Sequence, residues 1–127
     1  MTVFDAATPA ERRKLFADAI TAHRERDSAF LTIEAETDPD DLAPWVQVSQ
    51  DRINTDCTDD ELDRLKDILG EFPSFTIDEV TRPEEADGTN VRIVGRGDTN
   101  RIAQFVDRAF VDAFDLSEEY RAWVVEI

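Results

Sequence analysis

The stretch Gly95-Arg96-Gly97-Asp98-Thr99-Asn100-Arg101 puts two glycines and two arginines where a strand gives way to a helix. Free N–H groups and the positive end of the helix dipole point outward at such a junction, and anions of the phosphate type bind there. Arg96, Gly97 and Arg101 are therefore the candidate anion-site residues. The spacing is neither G-x-G-x-x-G nor a P-loop. Asp98 also stands where the anion would lie, so a tight turn followed by a helix N-cap is the competing reading. A second group, Asp51, Asp56, Asp59, Asp60 and Asp63, surrounds Cys57. Oxygen donors at that density hold Ca²⁺ or Mg²⁺ in other chains. Here the EF-hand spacing is absent, and capping plus solvation accounts for the run. Cys57 precedes a helix start, a field that lowers a thiol pKa, but the neighbouring carboxylates act the other way. The only histidine, His23, sits at the edge of an apolar stripe with no recognisable acid–base partner. These residues designate no catalytic group, no metal-ligand set and no cofactor site.

The elements that carry them follow from periodicity. Ile102, Phe105, Val106, Ala109, Phe110 and Ala113 recur at helical spacing and form one broad apolar stripe. Asp98 or Thr99 starts that helix, and Gln104, Asp107, Arg108 and Asp112 fall off the stripe toward water. Thr8-Pro-Ala-Glu11 is a capping box with proline at the first helical position, opening a helix to about Arg26. Leu15, Phe16, Ala19, Ile20 and His23 share its inner face. Ala29 to Glu36 alternates as a strand, and Trp45 to about Arg52 as the next. Between them lies an acidic loop with two prolines. Thr58-Asp-Asp-Glu61 opens a second capped helix to about Leu69, with Gly70 as its expected C′ residue. Phe75–Arg82 and Asn90–Gly95 form a hairpin, and Tyr120–Ile127 a final strand.

That order, α-β-β-α-β-β-α-β, predicts one α+β domain over residues 1–127. It is a two-layer sandwich with helices on one face of a mostly antiparallel sheet. From Trp45 onward the order matches the split βαβ of ferredoxin-like folds, with an N-terminal αβ extension.

Composition bounds habitat more tightly than chemistry. There are 30 acidic residues against 14 basic, for a net charge of −16. Lys14 and Lys66 are the only lysines. In these respects the whole chain resembles the acidic cytoplasmic proteins of haloarchaea, and no named functional family is recognised. The resemblance implies a cytoplasmic protein working in molar salt, where a Debye length of about 3 Å screens a dense surface charge. No apolar run approaches the ~20 residues of a membrane span. The N-terminal Met-Thr-Val-Phe-Asp lacks the character of a signal peptide. One cysteine makes no internal disulfide, which agrees with a reducing compartment.

Arg12, Arg13, Arg24 and Arg26 lie on the first helix, and Arg92 and Arg96 share strand parity, placing them to meet Glu79 or Glu126 across the sheet. Nowhere do the arginines offset the acids, which excludes nucleic-acid partners. Trp45, Phe75, Tyr120 and Trp123 exceed what one core face absorbs. In the last strand Trp123, Val125 and Ile127 alternate with Tyr120, Ala122 and Val124, so both faces are apolar. The expectation is a non-catalytic binding module whose partner is another protein or a second copy, a homodimer, with Trp45, Tyr120 and Trp123 as the partner surface. The alternative is a small enzyme with a pocket between helices and sheet.

Overall fold

Alternation of side chains decides which face of each strand is buried, and one sheet collects all of the strands among the described residues. The computed structural model describes residues 4–26, 31–37, 43–50, 52–82, 88–95 and 98–126. Its strands are β1 (Phe4–Ala6), β2 (Leu31–Ala35), β3 (Trp45–Ser49), β4 (Arg52–Cys57), β5 (Phe75–Thr81), β6 (Thr89–Gly95) and β7 (Ala122–Glu126). They form a seven-stranded sheet in the order β1-β7-β2-β3-β4-β6-β5. Every neighbouring pair is antiparallel. Three α-helices accompany it among the described residues: α1 (Pro9–Arg26), α2 (Asp59–Leu69) and α3 (Thr99–Arg108). None of them is long and apolar enough to cross a membrane.

The sheet is larger than the sequence pattern predicts. Trp45 to Arg52 is not one strand: the chain reverses at Gln50, a left-handed residue at φ 57°, and β4 pairs back on β3. Asn54, Thr55 and Asp56 mask that strand's alternation, since Ile53, Thr55 and Cys57 all point inward. The short β1 adds an edge. The ferredoxin-like order is altered as well. β4, α2 and β5 flank β6 as a split βαβ, but the β2–β3 hairpin lies between β7 and β4. The crossover through α3 therefore spans three strands rather than one.

The helices start where the caps predict. Thr58 accepts from the Glu61 N–H at 3.2 Å while Glu61 returns a bond to the Thr58 N–H at 2.8 Å. Asp98 accepts from the Arg101 N–H at 2.8 Å. Thr8 accepts from the Glu11 N–H at 3.3 Å. Gly70 is not a left-handed C′ residue. It stays helical at φ −61°, and the chain leaves α2 through tight turns that carry Phe72 inward. Beyond α3 the helix widens into a π turn, Ala109–Ala113, in which the Phe114 N–H reaches Ala109 O at 3.0 Å. Arg64 of α2 donates to Ala113 O at 2.9 Å, satisfying a carbonyl at that terminus.

The core lies between the helix layer and one sheet face. Ile102, Phe105, Val106, Ala109, Phe110 and Ala113 are all buried in it, so the predicted stripe holds across the π turn. Phe105 packs edge-on against Phe72 and Phe75, with centroids at 5.4 and 5.1 Å. Phe110 meets Phe16, Phe114 and Tyr120. Gly95 faces Phe75 across the β5–β6 ladder, and a Cβ there would lie 3.0 Å from the ring.

Candidate functional site

Among the described residues the helices pack on one sheet face, and the other face includes a stretch built from β7, β2 and β3. On β7, Ala122 and Val124 turn into the core and Trp123 and Val125 turn out, half-buried. On β3, Val46 and Val48 turn in and Trp45, Gln47 and Ser49 turn out. Glu34 on β2 is registered against Trp45 on one side and Trp123 on the other. The next row places Thr32 between Gln47 and Val125. Two tryptophans thus straddle one carboxylate, roughly two strand spacings or ~10 Å apart.

Part of the charge on this face is paired within it. Arg92 is 3.3 Å from Glu79 across the β5–β6 pair, and Arg121 pairs with Asp5 across the β1–β7 edge. Arg52 lies on β4, and Asn90 donates to Asp56 at 2.8 Å. Asp5 and Glu79 are thus ion-paired on this face and Asp56 is hydrogen-bonded, in a chain whose net charge is −16. Two polar atoms of the face are buried without a partner, Thr32 Oγ1 and Asn54 Oδ1, on either side of Gln47.

Tyr120 does not join the tryptophans. It is 6% exposed, on the helix side, and its hydroxyl donates to Asp107 Oδ1 at 2.8 Å. The partner surface read from sequence thus divides, with Trp45 and Trp123 on the open face and Tyr120 in the core. Burial and the Asp107 carboxylate push the tyrosine hydroxyl far above its ordinary pKa, so it stays protonated and donates.

Asp107 is not solvated either, contrary to its place off the apolar stripe. It is 7% exposed and accepts from Arg12 Nε at 2.8 Å. Arg12, fully buried, also donates to Ala7 O at 3.1 Å and Tyr120 O at 2.9 Å, with its guanidinium 3.9 Å from the Tyr120 ring centroid. Arg12 Nη2 is buried without a partner. This cluster ties α1, α3 and the approach to β7 together. Sequence periodicity missed it because a polar residue off a stripe is assigned to water by default. The available signal was Arg12 on the inward side of α1, four residues before Phe16.

The remaining candidates separate. Arg96 and Gly97 lie outside the described residues, and so does Asp51. Arg101 turns away from the helix start to stack over Phe72 at 4.3 Å. Cys57 is buried, and its thiol is pushed up to about 11 by burial first and then by Glu61, Asp56 and Asp59. That thiol is a core filler with little thiolate near neutral pH. His23 is buried on the inner face of α1. Among the described residues no group of His, Cys, Asp or Glu side chains has the arrangement to hold a metal ion.

Comparison with curated proteins and with solved structures finds no match. A family model does match, over residues 1–127, and the chain belongs to DUF7975, a family of unknown function.

Proposed function

We propose that the protein is a non-catalytic interaction module that associates with a second copy of itself through the helix-free sheet face, in the salt-rich cytoplasm of a halophile. The observation that carries this reading is the placement of Trp45 and Trp123 about Glu34 on the sheet face opposite the core. Aromatic residues concentrate at interface centres, and both indoles here are half-buried rather than enclosed. Charge favours a like copy as the occupant. Arg92 with Glu79 and Arg121 with Asp5 are already paired within the face, so it accepts a surface of the same kind. Isologous pairing about a two-fold axis needs such self-complementarity. Seven strands span roughly 30 Å, and two sheets pack face to face at about 10 Å. The expected dimer is a four-layer α-β-β-α sandwich with four tryptophans near its axis.

Molar salt supports rather than opposes this association. Screening removes the repulsion between two chains of charge −16. It also weakens phosphate contacts, so nucleic acid is not the partner. Light scattering coupled to size exclusion at about 3 M KCl tests the proposal. The expected mass is twice 14.4 kDa, returning to the monomer in Trp45→Glu and Trp123→Glu with the circular dichroism spectrum unchanged. A monomer at all concentrations contradicts it.

A further inference from the structure

The helix layer carries a second feature, independent of the sheet face. A cleft of about 400 Å³ opens between α1, α3 and the turn after α2, with Arg13, Arg101, Gln104 and Arg108 around it and Phe72 in its wall. Cationic groups are scarce in this chain, at 14 against 30 acids, yet three guanidiniums from two helices converge here. The geometry points to a binding site for a small oxyanion that carries a neighbouring hydroxyl, a phosphate monoester or a hydroxycarboxylate.

The donors are fixed and incompletely used. Arg101 gives one N–H to Gln104 Oε1 at 3.0 Å and one to Glu71 O at 3.1 Å, and its plane stacks on Phe72. Its Nε–H and one hydrogen on each terminal nitrogen remain. With Gln104 Oε1 accepting, the amide NH₂ of Gln104 is free to donate. Arg13, 46% exposed, approaches Asp107 Oδ2 at 3.9 Å, too long for a hydrogen bond, so its fork is open for bidentate contact with an oxyanion.

The carboxylates at the cleft do not cancel these donors. Glu71 holds Arg108 at 2.6 Å, and Arg108 is steadied further by Asp112 at 2.7 Å. Asp107 uses Oδ1 for Arg12 and Tyr120, while Oδ2 accepts no hydrogen bond among the described residues. An oxyanion between Arg13 and Arg101 that also bears a hydroxyl satisfies that oxygen by donating to it. A bare halide offers no such donor. The volume falls within the range of small-ligand pockets, about 300–1,000 Å³.

The test is a titration followed by NMR at the Gln104 side-chain amide and the arginine Nε–H groups. Glycerol 1-phosphate, inorganic phosphate and glycolate are added separately, each against potassium chloride at matched ionic strength. The expected result is saturable shifts at Gln104 and Arg101 with at least one of these, absent with chloride. Arg13→Gln, on a half-exposed side chain, weakens binding at least ten-fold with an unchanged melting midpoint, and Arg101→Gln also weakens binding at least ten-fold. Stronger binding of the two phosphates assigns a phosphate ester; stronger binding of glycolate assigns a hydroxycarboxylate. No saturable shift with any probe, equal shifts with chloride, or undiminished binding by Arg13→Gln overturns the site.

Discussion

Arg12 Nε and the Tyr120 hydroxyl donate to the same oxygen of Asp107, each at 2.8 Å. The first residue is on α1, the second precedes β7 and the acceptor is on α3, so one carboxylate oxygen ties α1, 95 residues away, to α3 and to the approach to β7. Removing a partner from a buried, hydrogen-bonded ion pair leaves an uncompensated charge.

Asp107→Ala is accordingly expected to destabilise the fold by about 3–5 kcal/mol, and Arg12→Met by a similar amount. The double variant Arg12→Met/Asp107→Ala restores charge balance, so it should cost clearly less than the sum of the single changes. Urea denaturation of the four proteins measures the coupling. Strict additivity would show that the pair is incidental to the packing.

The α3 stripe gives a second expectation. Phe105 and Phe110 lie at the centre of the ring contacts, so Phe→Ala at either should cost about 3–5 kcal/mol, a large share of a domain's total of about 5–15 kcal/mol. Gln104→Ala, on an exposed side chain, should change stability by less than about 0.5 kcal/mol. Thermal or urea melts rank the three, and a larger loss at Gln104 would contradict the helix phase.

The contrast between those two expectations marks what was legible in the sequence. Strong local signals survived: the caps at Thr58 and Asp98, the apolar stripe, and the alternation of Trp45 to Ser49 and of Trp123 to Val125. Each depends on a few neighbouring residues. β4 was hidden because Asn54 and Asp56 face the open side while Thr55 faces inward, so hydropathy alone shows no alternation. Asp107 was hidden for a different reason. Its burial depends on Arg12, 95 residues away, and no local pattern carries that distance. Of the candidate surface, the two tryptophans were legible from strand parity. Tyr120 was not, because it lies just before β7 and its hydroxyl is drawn to Asp107.

Cys57 supplies a pH expectation. Its folded-state pKa is raised from 9.0 to about 11, so the native state favours the neutral thiol. The stability this contributes is complete below pH 9, where both states hold the proton. It is lost as pH climbs through about 11. Native protein at pH 8 should alkylate with iodoacetamide much more slowly than unfolded protein, and thiolate absorbance should rise near pH 11 rather than near 9. Rapid labelling of the native state would contradict the burial and electrostatics described here.

Salt dependence tests the habitat. With a net charge of −16 and two lysines, repulsion opposes the compact state at low ionic strength. The melting midpoint followed by circular dichroism should rise between about 0.1 M and about 3 M KCl, because screening is far stronger at the upper end. A flat profile would remove the halophilic reading.

The central claim concerns the helix-free sheet face, and the chain reports on it directly. Its two tryptophans, Trp45 and Trp123, both lie there, so tryptophan emission follows the burial of that surface. Dilution from about 100 μM to below 1 μM at about 3 M KCl should shift the emission to longer wavelength along one sigmoidal curve, as the faces separate and water reaches both indoles. In Arg92→Glu, where a reversed charge sits on the same face, the transition should move to higher concentration. An emission maximum independent of concentration, in a protein that stays folded by circular dichroism, would contradict the account.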